Sequence, residues 1–100
     1  MDLAGIQNYK LSEDARIDLA RIYWRGYEEF GERQADNYYH SLIKRFDEIA
    51  AAPLKYPSVD HIKDGYRRSV CGTDSIYYRI NHDIVEIIRI LGRQDLNENL

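Results

Sequence analysis

The spacing of apolar residues changes twice along this chain. Tyr9-Lys10-Leu11 alternates and predicts a short strand. From Glu13 onward the spacing lengthens to three and four. Ala15, Leu19, Ile22, Gly26 and Phe30 then trace one face of a helix over Glu13 to Phe30. Ser12 stands before it as an N-cap, and Glu13 and Asp14 suit the positive end of the helix dipole. Gly31 ends that helix. Ala35, Tyr39, Leu42, Phe46 and Ile49 trace a second one from about Glu32 to Ala52, stopped by Pro53. A break of one glycine implies an antiparallel helix hairpin.

After a loop over Leu54 to Gly65 the period shortens to two. Three strands are predicted, Tyr66–Cys71, Ser75–Ile80 and Ile84–Leu91, with turns at Gly72-Thr73-Asp74 and Asn81-His82-Asp83. The last strand is apolar on both faces, which marks it as central. Tight turns make the three an antiparallel meander, and the first strand then joins the central one, giving an α+β fold of order β-α-α-β-β-β. A two-residue second turn sets Arg79 opposite Glu86 and Tyr78 opposite Ile87. A three-residue first turn sets Arg67 opposite Arg79 and Val70 opposite Ile76. In that register Val70, Ile76, Tyr78, Ile80, Val85 and Ile87 face the core. Arg67, Ser69, Tyr77, Arg79, Glu86 and Ile88 form a more open, partly basic face, and a slip of one residue would exchange the sets.

Length and charge narrow the function classes. One hundred residues make one domain, with residues 1–8 as a loose lead-in and 94–100 as a tail. A net charge of −3 gives no general attraction to nucleic acid. Residues 1–50 carry a net −3 and residues 63–93 a net +2, so only the C-terminal part is locally basic. The single Cys71 allows no internal disulfide and fits a reducing cytosol. We expect no signal peptide and no membrane span, and hence a cytoplasmic protein.

Catalytic patterns are sparse. His40, His61 and His82 are scattered, without metal-ligand spacing, and no phosphate loop or nucleophile motif is present. We therefore expect no catalytic residue, no metal and no cofactor. The arginines are more informative, because a planar guanidinium suits carboxylate or phosphate recognition. Arg67, Arg79 and Arg93, with Tyr77, are candidate target-binding residues, against the plainer reading that Arg79 pairs Glu86 across the hairpin. Ile17, Ala20, Trp24 and Tyr27 form a second stripe on the first helix, away from its core face. Ile17, Trp24 and Tyr27 are candidate partner-binding residues, against the plainer reading that Trp24 covers the edge of the core.

Several segments, in order, resemble the RelE/ParE toxin superfamily, and its ParE (plasmid stabilisation) branch in particular. They are Tyr9-Lys10-Leu11-Ser12, Ala15 with Asp18-Leu19, Gly31-Glu32 with Gln34-Ala35 and Tyr38, Gly65-Tyr66-Arg67-Arg68, Tyr77-Tyr78-Arg79-Ile80, and Val85 through Asp95. The resemblance implies the same β-α-α-β-β-β fold and a type II toxin–antitoxin system. It implies a toxin that inhibits DNA gyrase by binding. It also implies a hetero-oligomer with a ParD-like antitoxin, which alone carries the contact to operator DNA. The alternatives are a RelE-like ribosome-dependent mRNA endoribonuclease and a non-toxic regulatory homologue. Two departures bear on these: no Tyr, His, Lys or Arg follows Arg93, and Gly92 stands where many ParE sequences carry histidine.

Overall fold

Ser12 begins the helix layer and ties it to the sheet at once. Its Oγ accepts the Ala15 amide at 2.9 Å and donates to the Ile88 carbonyl at 2.8 Å. The structure, a computed structural model, describes residues 9–92. The expected lead-in, the tail and Arg93 lie outside the described residues. The elements are β1 (Tyr9–Leu11), α1 (Glu13–Phe30), α2 (Glu32–Ala51), β2 (Arg67–Cys71), β3 (Asp74–Asn81) and β4 (Ile84–Gly92). They match the expected order, with ends moved by one residue at most. Gly31, at φ +93°, alone separates the two helices. The helices approach closely where Gly26 meets Ala35, since a Cβ at Gly26 would stand 3.8 Å from Ala35 Cα.

The sheet order is β1-β4-β3-β2, with β1 parallel to β4 and the other pairs antiparallel. This is the expected α+β arrangement, with β4 central. The β3–β4 turn is His82-Asp83, both at positive φ, as a two-residue hairpin with right-handed strand twist requires. Arg79 therefore faces Glu86, and Tyr78 faces Ile87, as expected.

The first hairpin departs from expectation. Its turn holds two residues, Gly72 and Thr73, so Arg67 faces Tyr78 and Val70 faces Ser75. Asp74 belongs to β3 because it is held there: its carboxylate accepts the Tyr38 hydroxyl at 2.7 Å. The one-residue slip exchanges the faces of β2. Cys71 and Ser69 are buried, and Val70, expected in the core, is 60 % exposed.

A second departure follows on the far side of the sheet. The helix side carries the main core, including Leu19, Leu42, Phe46, Ile76, Ile87 and Ile90. The opposite side, expected to be open, carries a second core of Val59, Tyr66, Tyr77 and Leu91, with Ile88 packed against it. The loop before β2 folds back over the sheet, pinned by Val59 N to Tyr66 O (2.8 Å) and Arg68 N to Pro57 O (3.1 Å). A loop dense in polar residues conceals this from pattern reading, because only Val59 and Tyr66 serve as its buried anchors.

The outer edge of β4 is completed by α1. β1 pairs with β4 only across Val85–Ile87. Beyond that, Asp18 Oδ2 accepts the Ile90 amide at 2.9 Å and Arg89 Nε at 2.8 Å. Asp18 Oδ1 accepts from Arg89 Nη2 at 3.1 Å and Arg21 Nη2 at 3.3 Å. Asp18 is 2 % exposed. Burial opposes its charge, yet the hydrogen bonds from Arg89 and the Ile90 amide hold its carboxyl below the usual carboxylate range.

Removing one partner of a buried, hydrogen-bonded ion pair costs about 3–5 kcal/mol, so Asp18→Ala should lower chemical-denaturation stability by that order. Because the folded pKa of Asp18 is depressed, its contribution is whole above about pH 5 and is lost as pH falls through about 4 and below. The stability of Asp18→Ala should accordingly converge on that of the native chain in acid. Gly72 sits at φ +62°, and a Cβ there would meet Tyr38 Cε1 at 2.5 Å. Gly72→Ala should cost about 2–3 kcal/mol in the same measurement, from left-handed strain together with that clash.

Candidate partner-binding surfaces

One turn of α1 separates inward from outward residues. Ala15, Leu19 and Ile22 enter the core, while the same helix presents Ile17 (57 % exposed), Trp24 (58 %) and Tyr27 (42 %) to solvent. The three expected partner-binding residues thus share an exposed face. They are joined by side chains that the sequence reading did not single out. The Tyr23 ring lies 5.1 Å from that of Trp24, edge-on, and 6.0 Å from that of Tyr39 on α2. Trp24 and Tyr27 rings are 5.5 Å apart. The Tyr23 hydroxyl donates to Asp36 Oδ1 at 2.7 Å, and that hydrogen bond pushes its pKa up to about 12. Tyr23 therefore stays protonated and braces the two helices under the aromatic face. The plainer reading, Trp24 as a lid on the core edge, does not suit a side chain this exposed.

The expected target-binding residues are not gathered on one open face. Tyr77 is 1 % exposed, inside the second core, and is not presented to a partner. The Arg67 guanidinium turns inward and donates to the Tyr56 carbonyl at 2.7 Å. Arg79 is half-exposed but bonded to Glu86 Oε1 at 2.6 Å. Glu86 also receives Asn81 Nδ2 at 3.3 Å and Lys10 Nζ at 3.4 Å. The Arg79 and Asn81 hydrogen bonds hold its carboxyl below the usual range. The cross-strand pair read from the sequence is real, and it engages Arg79 structurally. Cys71 is buried, which pushes its thiol pKa up and away from nucleophilic use.

A wide cleft of about 1110 Å³ opens between the helix hairpin and the β2–β3 turn. Arg25, Phe30, Tyr38, Arg68 and Val70 line it, and it reaches Gly92 at the end of β4. Its floor is shaped by Tyr38, whose hydroxyl donates to Asp74, accepts the Thr73 amide at 3.2 Å and lies 2.9 Å from the Cys71 carbonyl. Burial, with the Asp74 carboxylate beside it, pushes the Tyr38 pKa up to about 12. No signal in the linear chain announces this cleft, since three segments distant in sequence build it. Among the described residues no group of three or more His, Cys, Asp or Glu side chains could hold a metal ion. None of the described helices is long and apolar enough to cross a membrane.

The family model described as ParE toxin of type II toxin-antitoxin system, parDE, matches residues 9–97, which is most of the chain. The chain belongs to the ParE toxin family. Toxin ParE1 of Mycobacterium tuberculosis (strain H37Rv) is 32 % identical over 94 residues, covering 92 % of this chain and 96 % of that protein. Toxin ParE1 of Caulobacter vibrioides is 34 % identical over 89 residues, covering 89 % and 91 %. A chain of the solved chromosomal ParDE TA system from P. aeruginosa superposes with a TM-score of 0.75, over 86 % of this chain and 95 % of that one. At 19 % identity that likeness bears on the fold alone. The ParE fold is thus the frame for both features, the exposed aromatic face of α1 and the cleft that Tyr23 and Tyr39 also line.

Proposed function

We propose that this ParE-family toxin is held silent by a ParD-like antitoxin seated on the Ile17–Trp24–Tyr27 face, and that it acts in the cytoplasm by binding DNA gyrase, without chemistry of its own. The observation that carries the first half is the exposed aromatic stripe on α1, supported from beneath by Tyr23 and Tyr39. Such rigid aromatic groups dominate binding energy at interfaces, and a small monomer gains nothing by leaving them in water. A segment of the antitoxin that folds on contact would cover them. The two chains form a hetero-oligomer, and operator DNA is contacted through the antitoxin.

The second half rests on family membership and on the scarcity of catalytic groups in the sequence. Of the candidate target contacts, Arg93 carries the most weight. It directly follows the central strand, whereas Arg67 and Arg79 are committed to internal bonds and Tyr77 is buried.

Two measurements check this. Trp24→Ala should weaken antitoxin binding by about 2 kcal/mol, roughly 30-fold in Kd by titration calorimetry, while the melting temperature changes little. Unchanged affinity would remove this face from the interface. Purified toxin should inhibit gyrase supercoiling, and Arg93→Ala should raise the inhibitory concentration at least about tenfold with the fold intact. A chain that halts translation and leaves gyrase untouched would favour mRNA cleavage. One that permits normal growth would be a regulatory homologue.

A further inference from the structure

β2 is the outer strand of the sheet, and two of its residues, Arg68 and Val70, line the cleft. Alternate residues of an edge strand turn their backbone groups away from the ladder. Arg68 N donates outward to the Pro57 carbonyl, and Val70 O accepts outward from Arg45 Nη1 at 2.7 Å. The Arg68 carbonyl and the Val70 N–H therefore also point away from β3. Neither has a hydrogen-bond partner among the described residues. The loop closes this edge on one side and Arg45 on the other. Between them, beside Ser69, remain one acceptor and one donor that an extended chain can satisfy together. The side chains at the cleft carry the same signal. The guanidinium groups of Arg25 and Arg68 make no ion pair or hydrogen bond among the described residues. Phe30 ends the row read from the sequence as core-facing, yet it is 61 % exposed, and Val70 is exposed as well. Unpaired guanidinium groups next to apolar surface suit carboxylates on an otherwise apolar segment. The cleft is also continuous with the aromatic face. Phe30 follows Tyr27 by about one turn of α1, and Tyr23, whose ring packs on Trp24, lines the cleft.

We propose that this cleft takes an extended, acid-bearing segment of the antitoxin, which adds to the edge of β2. The segment accepts from the Val70 N–H and donates to the Arg68 carbonyl. Its apolar side chains lie on Phe30 and Val70, and its carboxylates on Arg25 and Arg68. This deepens, and rests on, the reading that the antitoxin covers the Ile17–Trp24–Tyr27 face, since one chain reaches both places by way of Tyr23 and Phe30. The two contacts differ in kind. Apolar packing on α1 supplies affinity. The pairing at Arg68 supplies choice of partner, because an antitoxin with no acid there leaves a covered guanidinium unpaired. Arg68 is thus a specificity-determining residue.

Amide exchange on the full native chain, with and without its cognate ParD-like antitoxin, reads the strand addition directly. Val70 should exchange freely in the chain alone and slow by at least about 100-fold in the saturated complex. Titration calorimetry reads the charge. Arg68→Glu should raise the antitoxin Kd at least about tenfold and Arg68→Lys about threefold, with melting temperatures unchanged. Val70→Pro removes the outward N–H at an edge position that tolerates proline, and should raise Kd at least about tenfold as well. Should that variant fail to fold, the exchange of the native chain decides the point without it. An unprotected Val70 amide in the saturated complex, or an Arg68→Glu Kd within about twofold of native, would overturn the proposal. If Trp24→Ala weakens binding in that case, the cleft reading falls alone. If Trp24→Ala has no effect while Val70 is protected and Arg68→Glu binds poorly, the aromatic face falls and the cleft stands. Protection of Val70 by purified gyrase and not by the antitoxin would give the cleft to the target and overturn the assignment made here.

Discussion

The fold turns on a carboxylate doing what a strand would ordinarily do. β4 is the central strand, yet its partner β1 is three residues long. Without Asp18 the Ile90 amide would be buried beside α1 with no acceptor, at the cost of desolvating a backbone group. A lone buried carboxylate would be worse still. Each need meets the other: Asp18 satisfies Ile90, and Arg89 and Arg21 satisfy Asp18. Arg89 comes from the same strand that Asp18 caps, so helix and strand dock in one register. Sliding α1 by one turn would strand all of these groups.

Around that joint the chain solves the problem of a thin domain by covering the sheet twice. The helix hairpin buries one face, and the loop before β2 buries the other through Val59 and Tyr66. Tyrosine suits both layers, because its ring fills apolar space while its hydroxyl ties a distant backbone. Tyr78 donates to the Pro53 carbonyl at 2.6 Å and so closes the end of α2 against the sheet. Tyr38 holds the β2–β3 turn to α2, and its ring lies so close that only glycine fits at position 72. The abundance of tyrosine in this chain is thus largely structural.

What could be read from the linear chain followed from local physics. Helix ends, the Gly31 break, the centrality of β4 and the Arg79–Glu86 pair all depend on neighbours a few residues apart or on a tight turn. The β2 register could not be read, because Gly72-Thr73-Asp74 serves as a two- or three-residue turn until Tyr38, far away in sequence, claims Asp74. The second core was hidden for the same reason: its loop shows no period, and its two anchors are recognisable only against the sheet they cover. Of the candidate site residues, the exposure of the α1 stripe was legible because helical period alone separates it from the core. The sheet arginines were not, because their exposure depends on the register and on that covering loop.

These outcomes separate the two kinds of surface on the molecule. The aromatic face lies on the outside of a helix whose inner side is clamped, so a partner can cover Trp24 without disturbing the Asp18 joint. The basic side chains of the sheet are mostly spent internally, Arg67 on Tyr56, Arg79 on Glu86 and Arg89 on Asp18. A net acidic chain that commits its strand arginines inward has little long-range pull on polyanions. Shape and short-range hydrogen bonding, not a diffuse basic field, are what this surface offers a partner.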